Sequence, residues 1–146
     1  MRLGKDWIEA HIPHHGAMCL LDGVLEYDAR RIVCRASSHA DPGNPLRVGG
    51  RLPAACGVEY GAQAMAVHGA LLAADGAPLG PGILASVRAL TLHADRLDDV
   101  PGPLRVTAER RSGEQDHILY DFSISGEAGE LLHGRATVVL DARKRA

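Results

Sequence analysis

Hydrophobic residues recur with two different periods along the chain, and these periods predict one helix and several strands. Between Gly50 and Ala74, apolar residues cover almost every side of a helical wheel, which predicts a long helix enclosed by the rest of the fold. In the segment HILYDFSIS the apolar residues instead alternate, which predicts a strand with one buried face formed by Ile118, Tyr120, Phe122 and Ile124. The segment ELLHGRATVVL alternates in the same way.

Turn-forming residues set the order of these elements. Pro53 lies at or just before the first helical turn, where its missing N–H costs nothing, and the segment DGAPLGPG, from Asp75 to Gly82, ends the helix. Other strands are predicted in the later part of the segment Ile12 to Asp28 and over Arg31 to Ala36. Two more are predicted in segments that begin at Ile83 and Pro103. The segments SGEQ and GEAGE supply the last turns, and Ser37 to Pro53 forms an extended loop. One long helix and about six strands in hairpin order predict an α+β fold with an antiparallel sheet.

Composition narrows the class of protein. The 146 residues suit a single domain, 1–146, and the net charge of −2 gives no basic bias toward nucleic acid. No segment has the apolar run of a signal peptide or a membrane span. Three scattered cysteines without paired spacing favour reduced thiols. We therefore expect a soluble cytoplasmic protein that binds neither nucleic acid nor membrane.

An acidic residue stands on an apolar side of the predicted helix. Glu59 shares that side with alanines and has one polar neighbour there, Gln63. A carboxyl group in apolar surroundings keeps its proton more readily, which suits a general acid or a partner for a substrate hydroxyl. The alternative is an acid near the helix start that favours the helix dipole or pairs with an arginine. The residue pattern alone leaves both interpretations open.

The spacing of Pro53, Glu59 and Gln63 resembles the active-site helix of the hotdog-fold 3-hydroxyacyl-[acyl-carrier-protein] dehydratases. In that family a proline precedes a buried helix. A catalytic Glu or Asp and then a Gln follow this proline at the same spacing. The segment IPHHGAMCLLDGVLEYD resembles the family's N-terminal pattern, with matches at Pro13, His14, Leu21 and Asp22, and HGRATVVL is similar to its last strand. A closer resemblance still is to the dehydratase-like proteins encoded with aryl-polyene synthesis genes, in the pattern NPLR..GRLPA..GVEYGAQAMAVHGAL.

The resemblance implies a fold, a reaction and partners. The fold is a hotdog fold, in which an antiparallel sheet of about six strands wraps around one long central helix. The reaction is dehydration of a 3-hydroxyacyl thioester to the 2-enoyl thioester, in fatty-acid or polyene-type synthesis. The substrate is carried on the phosphopantetheine of acyl carrier protein or CoA, without a metal or redox cofactor. The assembly is a homodimer or a heterodimer with another hotdog subunit, or a higher oligomer, with each active site at the interface.

The resemblance also implies roles for particular residues. Glu59 holds and protonates the departing hydroxyl, and Gln63 orients its carboxyl group. Backbone N–H groups of Ala54 and Ala55 bind the thioester carbonyl. The phosphate of the carrier arm would meet one of three arginines: Arg47, Arg51 or Arg88.

The chain departs from the family at the catalytic histidine. Fourteen residues before Glu59, where the family has this histidine, the sequence has Pro45. Among the eight histidines, His14 is the first candidate to remove the C2 proton, because it lies in the segment that resembles the family's entry loop. His39 is the second, and His68 falls on the opposite side of the helix from Glu59.

The remaining histidines and cysteines have ordinary structural explanations. His93, His117 and His133 lie in or beside strands, where surface roles are expected. A zinc site formed by His11, His14 and His15 is disfavoured, because no Cys, Asp or Glu partner stands at ligand spacing. Cys56, near the helix start, is expected to be a small apolar filler rather than a nucleophile.

Two other functions remain open. Pro45 in place of the family's histidine is compatible with a non-catalytic acyl-carrier-binding subunit that pairs with an active dehydratase. A hotdog thioesterase also uses a carboxylate near the central helix, but it activates water and releases a free acid.

Overall fold

The computed structural model describes residues 3–76, 82–114 and 116–140 of the chain. The strands are β1 (Leu3–Gly4), β2 (Gly23–Tyr27), β3 (Arg31–Ala36), β4 (Gly82–Leu92), β5 (Leu104–Glu114), β6 (His117–Gly126) and β7 (Gly129–Leu140). They form a seven-stranded antiparallel sheet in the order β1-β2-β3-β5-β6-β7-β4. The helices are α1 (Lys5–His11) and α2 (Gly57–Ala74), and a 3-10 turn at Ala54–Cys56 leads directly into α2. Two further 3-10 turns lie at Gly16–Met18 and Ser38–Ala40.

The predicted antiparallel sheet around one long helix is confirmed. The alternating residues of β6 are all buried, and β3 has the predicted bounds. The sequence analysis missed β1 and α1, because α1 has only seven residues and buries only Ile8, too little for a periodic signal. Two prolines of the predicted stop, at 78 and 81, and Gln115 of the SGEQ turn lie outside the described residues. Within those residues, no helix is long and apolar enough to cross a membrane.

Glycines let α2 approach the sheet closely. A Cβ atom added to Gly61 would lie 2.8 Å from Cδ2 of Phe122 on β6. The far side of the same ring meets β7, where a Cβ added to Gly134 would lie 2.9 Å from Cζ of Phe122. The Phe122 ring is therefore held between two glycine backbones and has little room to move away from an added methyl group.

His68 joins the buried side of α2 to two other elements. Its Nε2 lies 2.8 Å from the carbonyl oxygen of Asp28, and because a carbonyl only accepts, Nε2 donates this hydrogen bond. Its Nδ1, 2.7 Å from the Tyr120 hydroxyl, then accepts from that hydroxyl. Burial lowers the pKa of His68 and raises the pKa of Tyr120 to about 12. The prediction that His68 lies away from Glu59 is confirmed, since His68 is fully buried and Glu59 is exposed.

We expect Gly61→Ala to lower the free energy of unfolding by about 1–3 kcal/mol, because the added methyl group overpacks the Phe122 ring. The matched control is Gly69→Ala in the same helix, where an added Cβ meets no atom within 4 Å. That change is expected to stabilise by roughly 0.5–1 kcal/mol through helix propensity. Denaturant unfolding of both variants measures the difference, and equal effects of the two would contradict the close approach.

The neutral state of His68 makes stability depend on pH. Because burial and the nearby Arg110 charge lower its pKa, the unfolded chain binds this proton more readily than the folded chain. Stability is therefore retained above the ordinary histidine pKa of about 6.5 and falls as the pH drops below it, by at most about 1.4 kcal/mol per pH unit. Denaturant unfolding from about pH 7.5 to about pH 5.5 should show a steeper loss in wild type than in His68→Gln. The control His117→Gln changes an exposed histidine of β6. If the stability of His68→Gln falls with pH as steeply as that of wild type, His68 is not the cause of the pH dependence.

Candidate active site

An apolar groove runs along α2, between the helix and the strands at one end of the sheet. Its volume is about 630 Å³, within the range of small-ligand sites. Along α2 the groove is lined by small residues, including Ala62, Ala66 and Ala70. The other walls come from the end of α1 and from β4, β6 and β7. The small alanine side chains leave space beside the helix for this groove.

Glu59 lies at the N-terminal end of this same side of α2, one turn before Ala62. Its side chain is exposed, and Ala55 beside it is exposed as well. The prediction that the fold encloses this side of the helix is therefore wrong for a single chain. The helical wheel identified an apolar side correctly but could not tell whether the same chain covers it. Cys56 stands nearby, and burial together with the Glu59 charge raises the pKa of this thiol, as suits a filler.

The start of the helix is fixed by the segment that follows β4. The N–H of Ala54 donates to the carbonyl oxygen of Asp95 at 3.0 Å. Ala54 therefore does not offer this N–H to a substrate, contrary to the prediction. Ala55 is exposed and lies in the first turn, where backbone N–H groups lack acceptors within the helix. Of the two predicted carbonyl-binding residues, only Ala55 is exposed, and its role stays a prediction.

Asp98 binds the backbone of Leu52, two residues before this turn. Its Oδ1 accepts hydrogen bonds from the N–H of Leu52 at 2.9 Å and from Nε of Arg96 at 3.0 Å. The Arg96 guanidinium, which also binds Oδ2, and the Leu52 N–H hold the pKa of Asp98 well below its usual range. The N–H of Leu97 donates to the carbonyl oxygen of Leu52 at 2.8 Å. The sequence analysis did not identify Asp98, because its partner Leu52 is distant in sequence.

Gln63 binds a loop rather than Glu59. Its Oε1 accepts from the N–H of Leu20 at 2.9 Å, and its Nε2 donates to the carbonyl oxygen of Met18 at 2.8 Å. The side chain is almost fully buried. The predicted orientation of the Glu59 carboxyl by Gln63 is therefore not what the hydrogen bonds show. Gln63 instead fixes the segment that follows His14 against α2.

His14 directly follows Pro13, which lines the groove, but does not line the groove itself. Its side chain is half-buried. Its Nδ1 is buried and has no hydrogen-bond partner among the described residues. Within the same part of the chain, no hydrogen bond or ion pair joins His14 to Glu59. The role of His14 as the base stays a prediction.

His39, the second candidate base, is enclosed by the chain. Its Nε2 lies 3.1 Å from the carbonyl oxygen of Val100, and its side chain is buried. Arg47 donates to the carbonyl oxygens of His39 and Gly50, each at 3.1 Å, so this guanidinium braces the loop instead of facing a carrier phosphate. The enclosure of His39 makes His14 the more accessible candidate.

Tyr60 anchors the long loop that carries Pro45. Its hydroxyl lies 2.7 Å from Oγ of Ser38 and accepts from Nδ2 of Asn44 at 3.1 Å. Asn44 also donates to the carbonyl oxygen of Ser38 at 2.9 Å. The sequence analysis missed this network, although a tyrosine beside Glu59 on the buried side and an asparagine beside Pro45 were visible signals. The network places the loop next to the first turns of α2.

The family model of the ApeP-like dehydratases, described as ApeP dehydratase, matches residues 7–144. No curated protein matches the sequence. Among solved structures, the chain is similar to the dehydratase heterocomplex ApeI:P from Xenorhabdus doucetiae, with 19% identity, coverage of 93% of this chain and 91% of that chain, and a TM-score of 0.77.

Thioesterases share the fold too. Zebra fish thioesterase superfamily member 2 has 15% identity, coverage of 94% and 95% of the two chains, and a TM-score of 0.68. A thioesterase from Haemophilus influenzae has 11% identity, coverage of 82% of this chain and 77% of that chain, and a TM-score of 0.62. At these identities the solved structures establish the hotdog fold alone. The family model, which spans nearly the whole sequence, establishes more: the chain belongs to the ApeP-like dehydratase family.

Proposed function

We propose that this chain dehydrates a 3-hydroxyacyl thioester, carried on acyl carrier protein, to the 2-enoyl thioester. The observation that carries the proposal is the apolar groove that begins one turn after Glu59 and follows the alanines of α2. A chain lying in this groove has its thioester end at the N-terminal turns of the helix, beside a carboxyl group. Membership in a dehydratase family supports this reaction over others that the fold performs.

The proposed reaction consists of two proton transfers. The N–H of Ala55 binds the thioester carbonyl and stabilises the negative charge that develops on its oxygen. His14 takes the C2 proton, and the electron pair forms the C2–C3 double bond. The C3 hydroxyl departs with a proton from Glu59, so the products are water and the enoyl thioester. These transfers use the side chains themselves, with no redox cofactor.

A second hotdog subunit is part of the proposal. Strand β4 is at the edge of the sheet and carries exposed apolar residues, among them Ile83 at 63% and Leu92 at 46% exposure. An exposed apolar edge strand is a template for pairing with another chain. The similar ApeI:P structure is a heterocomplex, which supports a partner of the same fold. We propose that such a partner, either a second copy or another hotdog subunit, covers the Glu59 side of α2.

The second candidate function is a non-catalytic acyl-carrier-binding subunit. Three observations favour it. Pro45 stands where the hotdog dehydratases that the sequence resembles have a histidine, the Ala54 N–H is already engaged, and no hydrogen bond or ion pair joins His14 to Glu59 in the described part of the chain. In that case the groove holds an acyl chain, and the chemistry takes place on the partner. A thioesterase remains the third candidate, because two of the similar folds are thioesterases.

An assay with carrier-linked 3-hydroxyacyl thioester tests the proposed chemistry. Mass spectrometry quantifies enoyl and free-acid products from wild type, Glu59→Gln and His14→Ala. We expect enoyl product from wild type and a loss of about 100-fold or more in both variants, since each removes a proton-transfer group. The control His15→Ala changes the exposed neighbour of His14 and should retain activity.

The other outcomes of this assay assign the function differently. Free acid as the main product indicates a thioesterase. Loss in Glu59→Gln alone removes His14 from the mechanism. Tight binding of acyl carrier protein without turnover by wild type indicates the binding subunit.

The groove itself predicts a dependence on chain length. Ala66→Phe fills the middle of the groove with a side chain that an acyl chain cannot displace. We expect kcat/KM to fall at least about tenfold for long acyl chains and to change little for the shortest. The reason is that the loss of one methylene contact already costs about 1–3 kcal/mol. The control Ala10→Phe is at an exposed position of α1 that does not line the groove. Equal effects on short and long substrates would mean that the acyl chain lies elsewhere.

A further inference from the structure

A group of possible metal ligands lies at the far end of the edge strand. It consists of His93, which directly follows β4, and Glu130 and His133 of β7. In β7, His133 follows the buried Leu132, so its side chain points to the face of the sheet away from α2. The group is therefore separate from the groove, and no step of the proposed reaction uses it.

One carboxylate oxygen brings the two imidazoles together. Oε2 of Glu130 lies 3.0 Å from Nε2 of His93 and 2.7 Å from Nδ1 of His133. The imidazole centroids are 5.5 Å apart, and the three ligand atoms all lie within 4.8 Å of one another. Three potential metal-ligand atoms thus lie together, one from the residue after β4 and two from β7.

Backbone pairing holds these residues in place. The N–H of His93 donates to the carbonyl oxygen of Leu131 at 2.8 Å, and Thr91 pairs with His133 in the ladder between β4 and β7. The side chains remain about half exposed, at 45% for each histidine and 40% for Glu130, so they can adjust to an incoming ion. Ligand atoms around a tetrahedral zinc ion stand about 3.4 Å apart. The two hydrogen bonds are 3.0 Å and 2.7 Å long and all three ligand atoms lie within 4.8 Å of one another, so the side chains would have to shift to bind the ion.

The nearest arginine on β7, Arg135, is paired with Asp121 at 3.2 Å, so its charge is balanced by a carboxylate. Two imidazoles and one carboxylate are a donor set typical of zinc, with a fourth position left for water.

We propose that His93, Glu130 and His133 bind one divalent transition-metal ion, with Zn²⁺ as the preferred ion. The positions of His93 and His133 in or beside strands predicted surface roles for them, and no metal site was predicted; Glu130 was not identified as a ligand. The ion would join the end of edge strand β4 to β7. It would do so next to an irregular part of β4, where the register shifts between Arg88 and Thr91 and Ala89 has a φ of 53°.

Calorimetric titration of the chelator-treated full-length protein with ZnSO₄ tests this site. We expect one ion per chain with a Kd on the order of micromolar. His93→Ala/His133→Ala should weaken binding by at least about tenfold, since loss of even an outer-shell partner has such an effect. The control His117→Ala removes another exposed histidine and should bind as wild type does. Circular dichroism checks the fold of each variant, and Glu130→Gln repeats the test if the double variant does not fold.

Two results would overturn the proposal. One is the absence of zinc binding by wild type at zinc concentrations up to about 100 μM. The other is binding that is unchanged in a folded double variant or in Glu130→Gln, which would place the ion elsewhere. Binding at the proposed site should also raise the Tm of wild type and His117→Ala with zinc concentration, and not that of the double variant.

Discussion

The close approach of α2 to the sheet is the constraint on which the rest of the structure depends. It is possible only because glycines face the sheet. A Cβ added to Gly57 would lie 2.6 Å from Cδ2 of Leu132, and Gly61 meets the Phe122 ring in the same way. With its glycine side pressed into the sheet, the helix leaves its alanine side outside. The alanines that line the groove and the candidate acid both lie on that outer side as a result.

Three buried polar side chains of α2 then connect the helix to separate loops. Tyr60 binds the loop around Asn44, Gln63 binds the backbone at Met18 and Leu20, and His68 binds the carbonyl of Asp28. A buried polar group without a partner is costly, so each bond fixes its loop as well as satisfying the helix. Two of these loops, around Asn44 and around Met18 and Leu20, lie in segments that carry the resemblance to the dehydratases. The helix therefore positions the site's surroundings through its buried side, while the proposed chemistry takes place on its other side.

The sequence predicted those features whose causes are local. Alternation in β6 and the apolar length of α2 each depend on neighbouring residues, and both are confirmed. The errors arose where a distant residue decides the outcome. Asp95 engages the Ala54 N–H, and Met18 and Leu20 take both ends of the Gln63 amide. No periodic pattern reports such contacts. The converging metal ligands were missed for the same reason, because strand pairing brings together residues that are far apart along the chain.

The exposure of Glu59 bears directly on the proposed chemistry. Closing an active site expels water and strengthens the electrostatic interactions inside it. The isolated chain leaves Glu59 in water, so the proposed dehydration needs a second subunit beside it. A partner that covered the alanine side of α2 would remove this water and would also bury the apolar residues of β4. The open groove, the exposed acid and the apolar edge strand then have a single explanation, in which the isolated chain is one half of the working site.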